Sequence, residues 1–270
     1  MDDLDFNNIP RAVLVGTANV AQSVAFIAEH ERSTRIKYFV IDDDAPQNVS
    51  DKIKFIGREQ IAEAVRGFDV IFILTALTDE ATCNTVRLIA DCLKNENIFL
   101  SVAIVQSVGK DFSDEMNYLE QKFKVVINLE EQQENLPVED FSYKIVHGIH
   151  SVYDDEFYPY MRPVDGADLL DLLTCGKKSF VSFGEASGEN AVTAAVTAAI
   201  DSPLIKKNLQ EARSVFLNTM GATDYLSMLE EGEASTLVWE ATNPDGEIYP
   251  AVNLDEALGE KIFVMIFIRV

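Results

Sequence analysis

Continuous apolar runs alternate with amphipathic segments through the first half of the chain. The runs have the length and β-branched content of buried strands, and the segments between them place apolar residues at helical spacing. The predicted strands cover residues 11–15, 36–41, 52–56, 70–74, 98–105 and 125–128, and the predicted helices cover 18–30, 60–66 and 82–94. Strands that are apolar throughout belong to parallel sheets buried on both faces. Residues 10–135 are therefore predicted to form a doubly wound α/β domain.

The pattern changes in the second half. A helical repeat runs over 136–153 through Phe141, Ile145 and Ile149, and prolines at 159 and 163 then interrupt the chain. We assign 136–160 to a long central helix that connects two domains. Residues 161–270 form a smaller α+β domain with one mixed or antiparallel sheet and helices on one face. Its predicted strands are 179–182, 214–219, 247–252 and 261–268, and its predicted helices are 190–201 and 225–236.

Composition and charge narrow the function classes. Of 270 residues 47% are apolar, which suits a globular core, and 22 Lys+Arg against 45 Asp+Glu give 22 − 45 = −23. So acidic a surface repels phosphate backbones and anionic lipid, which argues against nucleic-acid and membrane partners. The start lacks the pattern of a secretory signal and no apolar run reaches membrane-spanning length. The cysteines at 83, 92 and 175 form no metal-binding pair, and a cytoplasmic protein is predicted.

A dispersed set of motifs in the second half carries a family resemblance. The chain reads GEASGE at 184–189, DSPLI at 201–205 and ARSVFLNTMG at 212–221, followed by Asp224. In order and spacing this resembles FtsZ, the bacterial relative of tubulin, whose second domain carries G-x-A-S-G-E, A-I-x-S-P-L-L and V-L-x-N-I-T-G-x-x-D-L. Segments at 54–73 and 146–149 resemble the same family at lower specificity. The resemblance implies the tubulin/FtsZ-like fold and a GTP site in the first domain.

The first phosphate loop of that site is largely lost. FtsZ has roughly G-x-G-G-x-G, because backbone N–H groups at a helix N-terminus can approach phosphate only where no Cβ intervenes. At the matching place this chain keeps one glycine, and β-branched Val20 stands where a small residue is expected. The aligned nucleotide-binding positions here are Gly16, Thr17, Ala18 and Asn19.

The second phosphate loop has lost every glycine. The family's G-G-G-T-G-T-G aligns without gaps onto 78–84, TDEATCN, so the candidate positions are Thr78, Asp79 and Glu80. Two carboxylates stand where phosphate oxygens would lie, and like charges repel unless Mg²⁺ bridges them. A further loop that reaches the γ-phosphate in the family is missing after Gly57. The resemblance thus predicts a degenerate site, with GTP and Mg²⁺ as cofactors only if the pocket still works.

Acidic positions of the family survive elsewhere. FtsZ inserts N-x-D-x-x-D into the next subunit of a filament, and the matching stretch here keeps Asp165 and Asp168 while proline replaces the asparagine. They are vestigial candidates for catalysis, and their simpler interpretation is a helix cap and a first-turn acid. Asp140 matches the second residue of the family's guanine-reading pair, and its simpler interpretation is a cap that opens a helix at Phe141.

The sequence gives weaker support for three other kinds of site. His147 and His150 could share a metal, but no third ligand follows at a diagnostic spacing, and a structural pair is favoured. Gly16 after one strand and Asp42 after the next suit a dinucleotide fold, yet G-x-G-x-x-G is absent. Ser187 does not lie in G-x-S-x-G, so it is no nucleophile elbow.

The sequence favours a non-catalytic, acidic FtsZ/tubulin-like protein, a pseudo-GTPase of the cell-division or cytoskeletal class. Its expected partners are itself or an FtsZ-family protein, through self-association or by capping a filament. The alternative is a divergent GTPase, and a weaker alternative is a small-molecule sensor that uses the emptied cleft. The chain ends at Val270 without a tail for the partners of the family's C-terminus, which argues against a direct role in the division ring.

Overall fold

The computed structural model describes residues 11–42, 50–94, 96, 98–132, 137–174 and 178–270, so Cys175 lies outside it. These residues form two compact units. The first contains the chain as far as Glu131 and the central helix as far as Val146, and the second contains the end of that helix from His147 and everything after it. The division therefore falls within the central helix.

The first unit is built on a six-stranded sheet that is parallel throughout, in the order β3-β2-β1-β4-β5-β6. Its strands are β1 (Ala12–Thr17), β2 (Ile36–Ile41), β3 (Ile53–Ile56), β4 (Val70–Leu77), β5 (Leu100–Ser107) and β6 (Val125–Asn128). Every residue of β1 and of β4 is buried, as strands covered on both faces require. The predicted parallel sheet is confirmed.

Helices cover both faces of this sheet. They are α1 (Ala21–His30), α2 (Ile61–Val65), α3 (Glu80–Leu93), α4 (Ser113–Glu120) and α5 (Leu129–Gln132). Val13 and Val15 of β1 pack with α2 and α3, whereas Gly16 faces Val24 of α1 on the other side. This alternation is that of a doubly wound domain. The helices α4 and α5 were not predicted, because their short polar sequences carry little apolar periodicity.

The central helix, α6, covers Val138–His150. It begins two residues later and ends three residues earlier than the predicted 136–153. In the first unit its Tyr143 contacts the rings of Phe26 and His30 on α1, with centroid separations of 6.3 and 5.9 Å. The segment predicted to continue the helix to 160 instead contains turns and ends at a short strand.

The second unit contains a mixed five-stranded sheet in the order β7-β10-β9-β11-β8. Its strands are β7 (Tyr160–Arg162), β8 (Ser179–Ser187), β9 (Ser214–Gly221), β10 (Glu247–Leu254) and β11 (Lys261–Arg269). Only β9 and β10 pair in parallel, and the other pairs are antiparallel. The mixed sheet agrees with the sequence, while β7 was not predicted.

Helices lie on both faces of the second sheet, so the prediction of one covered face was wrong. These helices are α7 (Gly166–Thr174), α8 (Ala191–Ile200), α9 (Pro203–Asn208) and α10 (Met228–Ala241). Val215 and Leu217 of β9 share a core with α8 and α10. On the opposite face, Ser214 Oγ donates to Leu172 O of α7 at 3.1 Å and Asn218 Nδ2 donates to Gly148 O of α6 at 2.8 Å. Two polar residues on this face of β9 thus donate hydrogen bonds to carbonyls of the covering helices.

Candidate functional site

A cavity of about 320 Å³ opens at the carboxyl edge of the first sheet. It lies where the strand order reverses. From β1 the chain adds β2 and β3 on one side of that strand, and β4 to β6 then extend the sheet on its other side. Crevices outside this edge at such a switch point are the usual ligand sites of open α/β sheets. The lining residues are Thr17, Ala18, Asn19, Ile41, Asp42, Arg58, Thr78, Asp79, Ala81, Thr82 and Thr85. The structure thus brings five of the aligned nucleotide positions together.

Hydroxyl and amide groups form a network along one wall of the cavity. Thr17 Oγ1 donates to Asn19 Oδ1 at 2.7 Å and lies 3.1 Å from Thr75 Oγ1. Asn19 Nδ2 donates to Ala76 O at 2.7 Å and to Thr78 Oγ1 at 3.4 Å. These bonds tie the end of β1 to the end of β4 through side chains.

Asp79 is the N-cap of α3. Its Oδ1 accepts from Thr82 N at 2.9 Å and from Thr82 Oγ1 at 3.0 Å. These hydrogen bonds, the backbone one first, lower the pKa of the exposed Asp79 carboxyl below its ordinary 3.8. A carboxylate of the chain itself therefore occupies the positive end of the helix, where an anionic ligand would otherwise bind.

Gly16, the glycine kept from the first loop, serves packing. It is buried within β1, and a Cβ there would lie 2.4 Å from Val24 Cγ2 and 3.4 Å from Val20 Cγ2. The glycine allows α1 to approach the strand closely, which is one of the roles glycines have in this kind of βα turn. Gly16 is not among the residues that line the cavity.

Arg58 and Asp42 line the cavity although neither was proposed as part of the candidate nucleotide site. Arg58 follows Gly57 at the end of β3, and Asp42 follows β2. Asp42 was noted only in connection with a dinucleotide fold. The sequence did contain a signal for both residues, since each follows the end of a predicted strand. The carboxyl ends of parallel strands meet at one edge of a sheet, where ligands bind. Among the lining side chains, Arg58 therefore contributes a positive charge, and Asp42 and Asp79 contribute negative charges.

Glu80 lines a different cavity, of about 330 Å³, on the other side of Asp79. This second cavity also contains Cys83, Lys110 and the ion pair of Arg87 with Glu115. Arg87 Nε lies 2.9 Å and Nη2 2.5 Å from Glu115 Oε2, and the Glu115 side chain is only 5% exposed. Burial, followed by the nearby Glu115 charge, raises the pKa of the Cys83 thiol, so the thiol is not activated. The pair joins α3 to α4.

Asp140 lies in the first turn of α6, and the prediction that it caps a helix opening at Phe141 was wrong. The helix begins at Val138, and Phe141 N donates to Pro137 O at 3.0 Å. The Asp140 carboxylate pairs with Lys144 one turn later at 3.2 Å. Asp140 does not line either cavity described above.

Asp165 and Asp168 lie at the start of α7 in the second unit. Asp165 precedes the first helical residue, and its Oδ1 accepts from Ala167 N at 2.8 Å. Asp168 lies in the first turn. This is the geometry of a helix cap and a first-turn acid, and both residues are exposed.

The two histidines of α6 each face a carboxylate. His150 Nε2 lies 3.2 Å from Asp154 Oδ2, with both side chains fully buried, and His147 Nε2 lies 3.8 Å from Asp255 Oδ2. Within the part of the chain that the structure describes, no three His, Cys, Asp or Glu side chains are grouped to hold a metal ion. No helix of that part is both long and apolar enough to cross a bilayer.

Comparison with known proteins finds similarity to FtsZ in part of the sequence and in the fold. Residues 177–269 match the model of the FtsZ family C-terminal domain. A mutant FtsZ from M. jannaschii superposes with a TM-score of 0.77 at 20% identity, covering 97% of this chain and 91% of that one. An empty FtsZ dimer from M. jannaschii gives 0.76 at 20% identity, with 97% and 88% covered.

A third structure extends the likeness beyond FtsZ itself. GDP-bound monomeric CetZ1 from Haloferax volcanii gives a TM-score of 0.71 at 13% identity, covering 96% of this chain and 94% of that one. Identities this low are evidence for the fold. This chain therefore has the fold of FtsZ and CetZ1 over nearly its whole length, and its residues 177–269 match the C-terminal domain of the FtsZ family.

Proposed function

We propose that this chain is an FtsZ/tubulin-like protein of the cytoskeletal or cell-division class whose nucleotide cavity no longer binds a triphosphate. It acts through protein contact, by self-association or as a partner of an FtsZ-type filament. The observation that carries the proposal is the cap of α3. Asp79 receives the Thr82 N–H and hydroxyl at 2.9 and 3.0 Å, so a fixed negative charge holds the helix end that would bind phosphate.

The side-chain network supports the same conclusion. Thr17, Asn19 and Thr78 fill the edge of the sheet with mutually bonded side chains. A nucleoside triphosphate would have to break these bonds and approach the carboxylates of Asp79 and Asp42. The mutual repulsion is strong in a partly desolvated cleft. GDP in CetZ1 and the empty state of the FtsZ dimer show that relatives of this fold are solved both with and without nucleotide.

Calorimetric titration with GTP, with and without Mg²⁺, tests the loss of binding. We expect no heat up to high micromolar GTP. Binding in the low micromolar range would overturn the proposal and make Asp165 and Asp168 candidates for catalysis again.

Charge at the cavity is tested with Asp79→Asn against Asp91→Asn. Both remove one carboxylate from the region of α3, but Asp91 lies more than three turns along the helix from Asp79, does not line the cavity and pairs with Lys94. Asparagine remains a good N-cap, so the helix end is preserved. We expect only Asp79→Asn to strengthen GTP binding, and the Asp79→Gly, Glu80→Gly double variant to strengthen it further. Equal effects of the two single variants would contradict a local role for Asp79.

Partner function is tested by adding the chain to an FtsZ from the same cell. Substoichiometric amounts are expected to change the polymer length or the GTP turnover of that FtsZ. We propose that the contact with the filament uses the acids at the start of α7, so the matched variant is Asp165→Asn with Asp168→Asn, which is expected to lose the effect. No change in polymer length or turnover would exclude filament capping.

One observation favours the GTPase alternative. Arg58, Asp42 and Asp79 converge on one cavity, and carboxylates can hold Mg²⁺ while arginine can reach phosphate oxygens. In that case the double glycine variant would lose GTP binding instead of gaining it. The sensor alternative uses the hydroxyl and amide lining for an uncharged ligand, and thermal-shift screening against nucleosides would identify it.

A further inference from the structure

Three cationic side chains lie close to Tyr118 of α4. The guanidinium carbon of Arg87 on α3 lies 5.2 Å from the centroid of the Tyr118 ring, and the ammonium of Lys122 lies 5.3 Å from it, both within the range of cation–π attraction. The third cation is Lys94, whose Nζ lies 2.5 Å from Asp91 Oδ1. This bond is the first of the effects that lower the pKa of Asp91, and the Lys122 charge and the Tyr118 hydroxyl act in the same direction. We call these five residues the Tyr118 cluster.

The buried Glu115 holds the Arg87 side chain in place. Nε and Nη2 of Arg87 bond to this carboxylate, which is 5% exposed, whereas the Arg87 side chain is 49% exposed. Nη1 takes no part in the pair, so the guanidinium keeps donors for a further acceptor. A side chain that is already fixed loses little conformational freedom when it binds. Arg87 is therefore suited to bind a second carboxylate from outside the chain.

The local charge of this surface is opposite in sign to that of the whole chain. The three cations of the Tyr118 cluster stand against two carboxylates, those of Asp91 and Glu115, in a chain of net charge −23. Lys122 is exposed, and within the part of the chain that the structure describes it forms no ion pair with a carboxylate. Charges further away than the Debye length, about 8 Å at physiological salt, are largely screened. An anionic group close to the cluster is therefore attracted to it.

Leu88 adds an apolar group beside the Tyr118 cluster. It is exposed on α3, and Asp91 lies one helical turn from both Leu88 and Arg87, so the three side chains share the outer face of the helix. Tyrosine and arginine are enriched among the residues that contribute most to protein–protein binding, and neighbouring contacts exclude water from them. The surface thus has the composition of a protein-binding site.

Charge complementarity identifies the partner as an acidic protein segment. A second copy that docked through the same face would bring cations towards cations. Nucleic acid or an anionic bilayer presents negative charge over a wide area, which the 45 acidic residues of this chain repel. A short peptide segment can place its carboxylates on the cluster and keep away from the rest of the surface.

We propose that the Tyr118 cluster and Leu88 dock an acidic segment of another protein. Carboxylates of that segment bind Arg87 and Lys122, and an apolar side chain of the segment covers Leu88. None of these residues lines the nucleotide cavity, so the proposal does not depend on whether that cavity binds GTP.

A fluorescently labelled Glu/Leu peptide is the probe for this surface, and a Gln/Leu peptide of equal length is the control. Fluorescence anisotropy at about 0.15 M salt measures the dissociation constant of each peptide. We expect saturable binding of the Glu/Leu peptide and about tenfold weaker binding of the Gln/Leu peptide, because charge pairs are lost. Equal binding of the two peptides would overturn the proposal.

Matched lysine variants locate the binding on the chain. Lys122→Gln removes a charge from the Tyr118 cluster, and Lys207→Gln removes one from an exposed lysine of α9 in the second unit, so both variants have the same net charge. We expect Lys122→Gln to weaken binding of the Glu/Leu peptide about fivefold and Lys207→Gln to leave it unchanged. Leu88→Ser is expected to weaken binding similarly without changing Tm, since the side chain is exposed. Equal effects of the two lysine variants would contradict a local role of the cluster.

Two further measurements distinguish other occupants of this surface. Single-stranded DNA and anionic vesicles are titrated against the wild type and Lys122→Gln, and neither is expected to bind. Binding of either that Lys122→Gln weakens would assign the cluster to a polyanion and overturn the proposal. Sedimentation without peptide is expected to show no assembly that depends on Lys122. Dimers that Lys122→Gln dissociates would assign the surface to a second copy and overturn the proposal as well.

Discussion

At the scale of single residues, Asp79 gives the cavity a negative charge. Its carboxylate is exposed, yet two hydrogen bonds from Thr82 favour the charged form and lower its pKa below 3.8. A lowered pKa in the folded state means that ionised Asp79 stabilises the fold. This contribution is fully present above the ordinary pKa and is lost as the pH falls through the lower, folded-state value.

The pH dependence of stability follows from this direction. The difference in Tm between the wild type and Asp79→Asn is expected to be constant at neutral pH and to shrink as the pH falls from the ordinary pKa of 3.8 through the lower pKa of the folded state, where the carboxyl becomes protonated. Thermal unfolding across a series of pH values from neutral into acid measures this difference. In Thr82→Val one of the two donors is removed, so the pKa of Asp79, followed by NMR titration, is expected to rise towards 3.8. An unchanged pKa in that variant would show that the hydroxyl contributes nothing.

At the scale of elements, the close approach of β8 and α8 explains a motif of the second domain. Ser182 Oγ donates to Ala199 O at 2.8 Å, near the end of α8 where helix carbonyls lack intrahelical donors. Two residues along the strand, a Cβ on Gly184 would lie 1.8 Å from Ala195 O. Gly184 opens the GEASGE sequence, so this glycine of the family resemblance serves strand–helix packing.

Gly184→Ala is expected to destabilise the second domain by about 1–3 kcal/mol, since a backbone carbonyl cannot move without shifting α8. Urea denaturation measures the change in the free energy of unfolding. Gly232→Ala is the matched control, because it adds the same methyl group where nothing lies within 4 Å. A neutral Gly184→Ala would mean that α8 moves away from the strand at little cost.

At the scale of the whole molecule, the net charge of −23 acts on every element. The ion pairs that the structure describes, such as Lys261 with Glu185 at 3.0 Å, are mostly exposed and contribute little each. Excess carboxylates repel one another in the folded state, where they are closer than in the unfolded chain. The fold is therefore maintained by two apolar sheet cores against a repulsive surface.

Salt is expected to stabilise the protein for this reason. Raising NaCl from about 0.01 M to about 1 M shortens the Debye length from about 30 Å to about 3 Å and screens the repulsion. We expect Tm to rise by several degrees, with most of the change at low salt. KCl at the same concentrations is the control, and it should act equally. A Tm that falls with salt would show that attractive ion pairs outweigh the repulsion.

The sequence by itself determined the strands of the first domain, with β2 identical to its predicted bounds at Ile36–Ile41. It also showed the loss of glycines at 78–84 and the acidic charge. These features are local: apolar runs, helical spacing and the side chain at each position are all read without knowing what lies nearby. The resemblance to FtsZ at 184–221 was readable for the same reason, because order and spacing survive when most residues have changed.

The tertiary structure alone decided which of these residues meet. Arg58 and Asp42 join Thr17 and Asp79 in one cavity only because the strand order places the ends of β1 to β4 at one edge. The tertiary structure also showed that Gly16 packs against Val24. It further showed that helices lie on both faces of the second sheet. The sequence did not reveal that helices cover the face of β9 that contains the polar residues Ser214 and Asn218. Their hydrogen-bond acceptors are carbonyls of helices that are distant in sequence. Contacts between residues that are distant in sequence leave no local pattern in the sequence. These contacts determine what each of these residues does in the folded protein, so only the tertiary structure could show it.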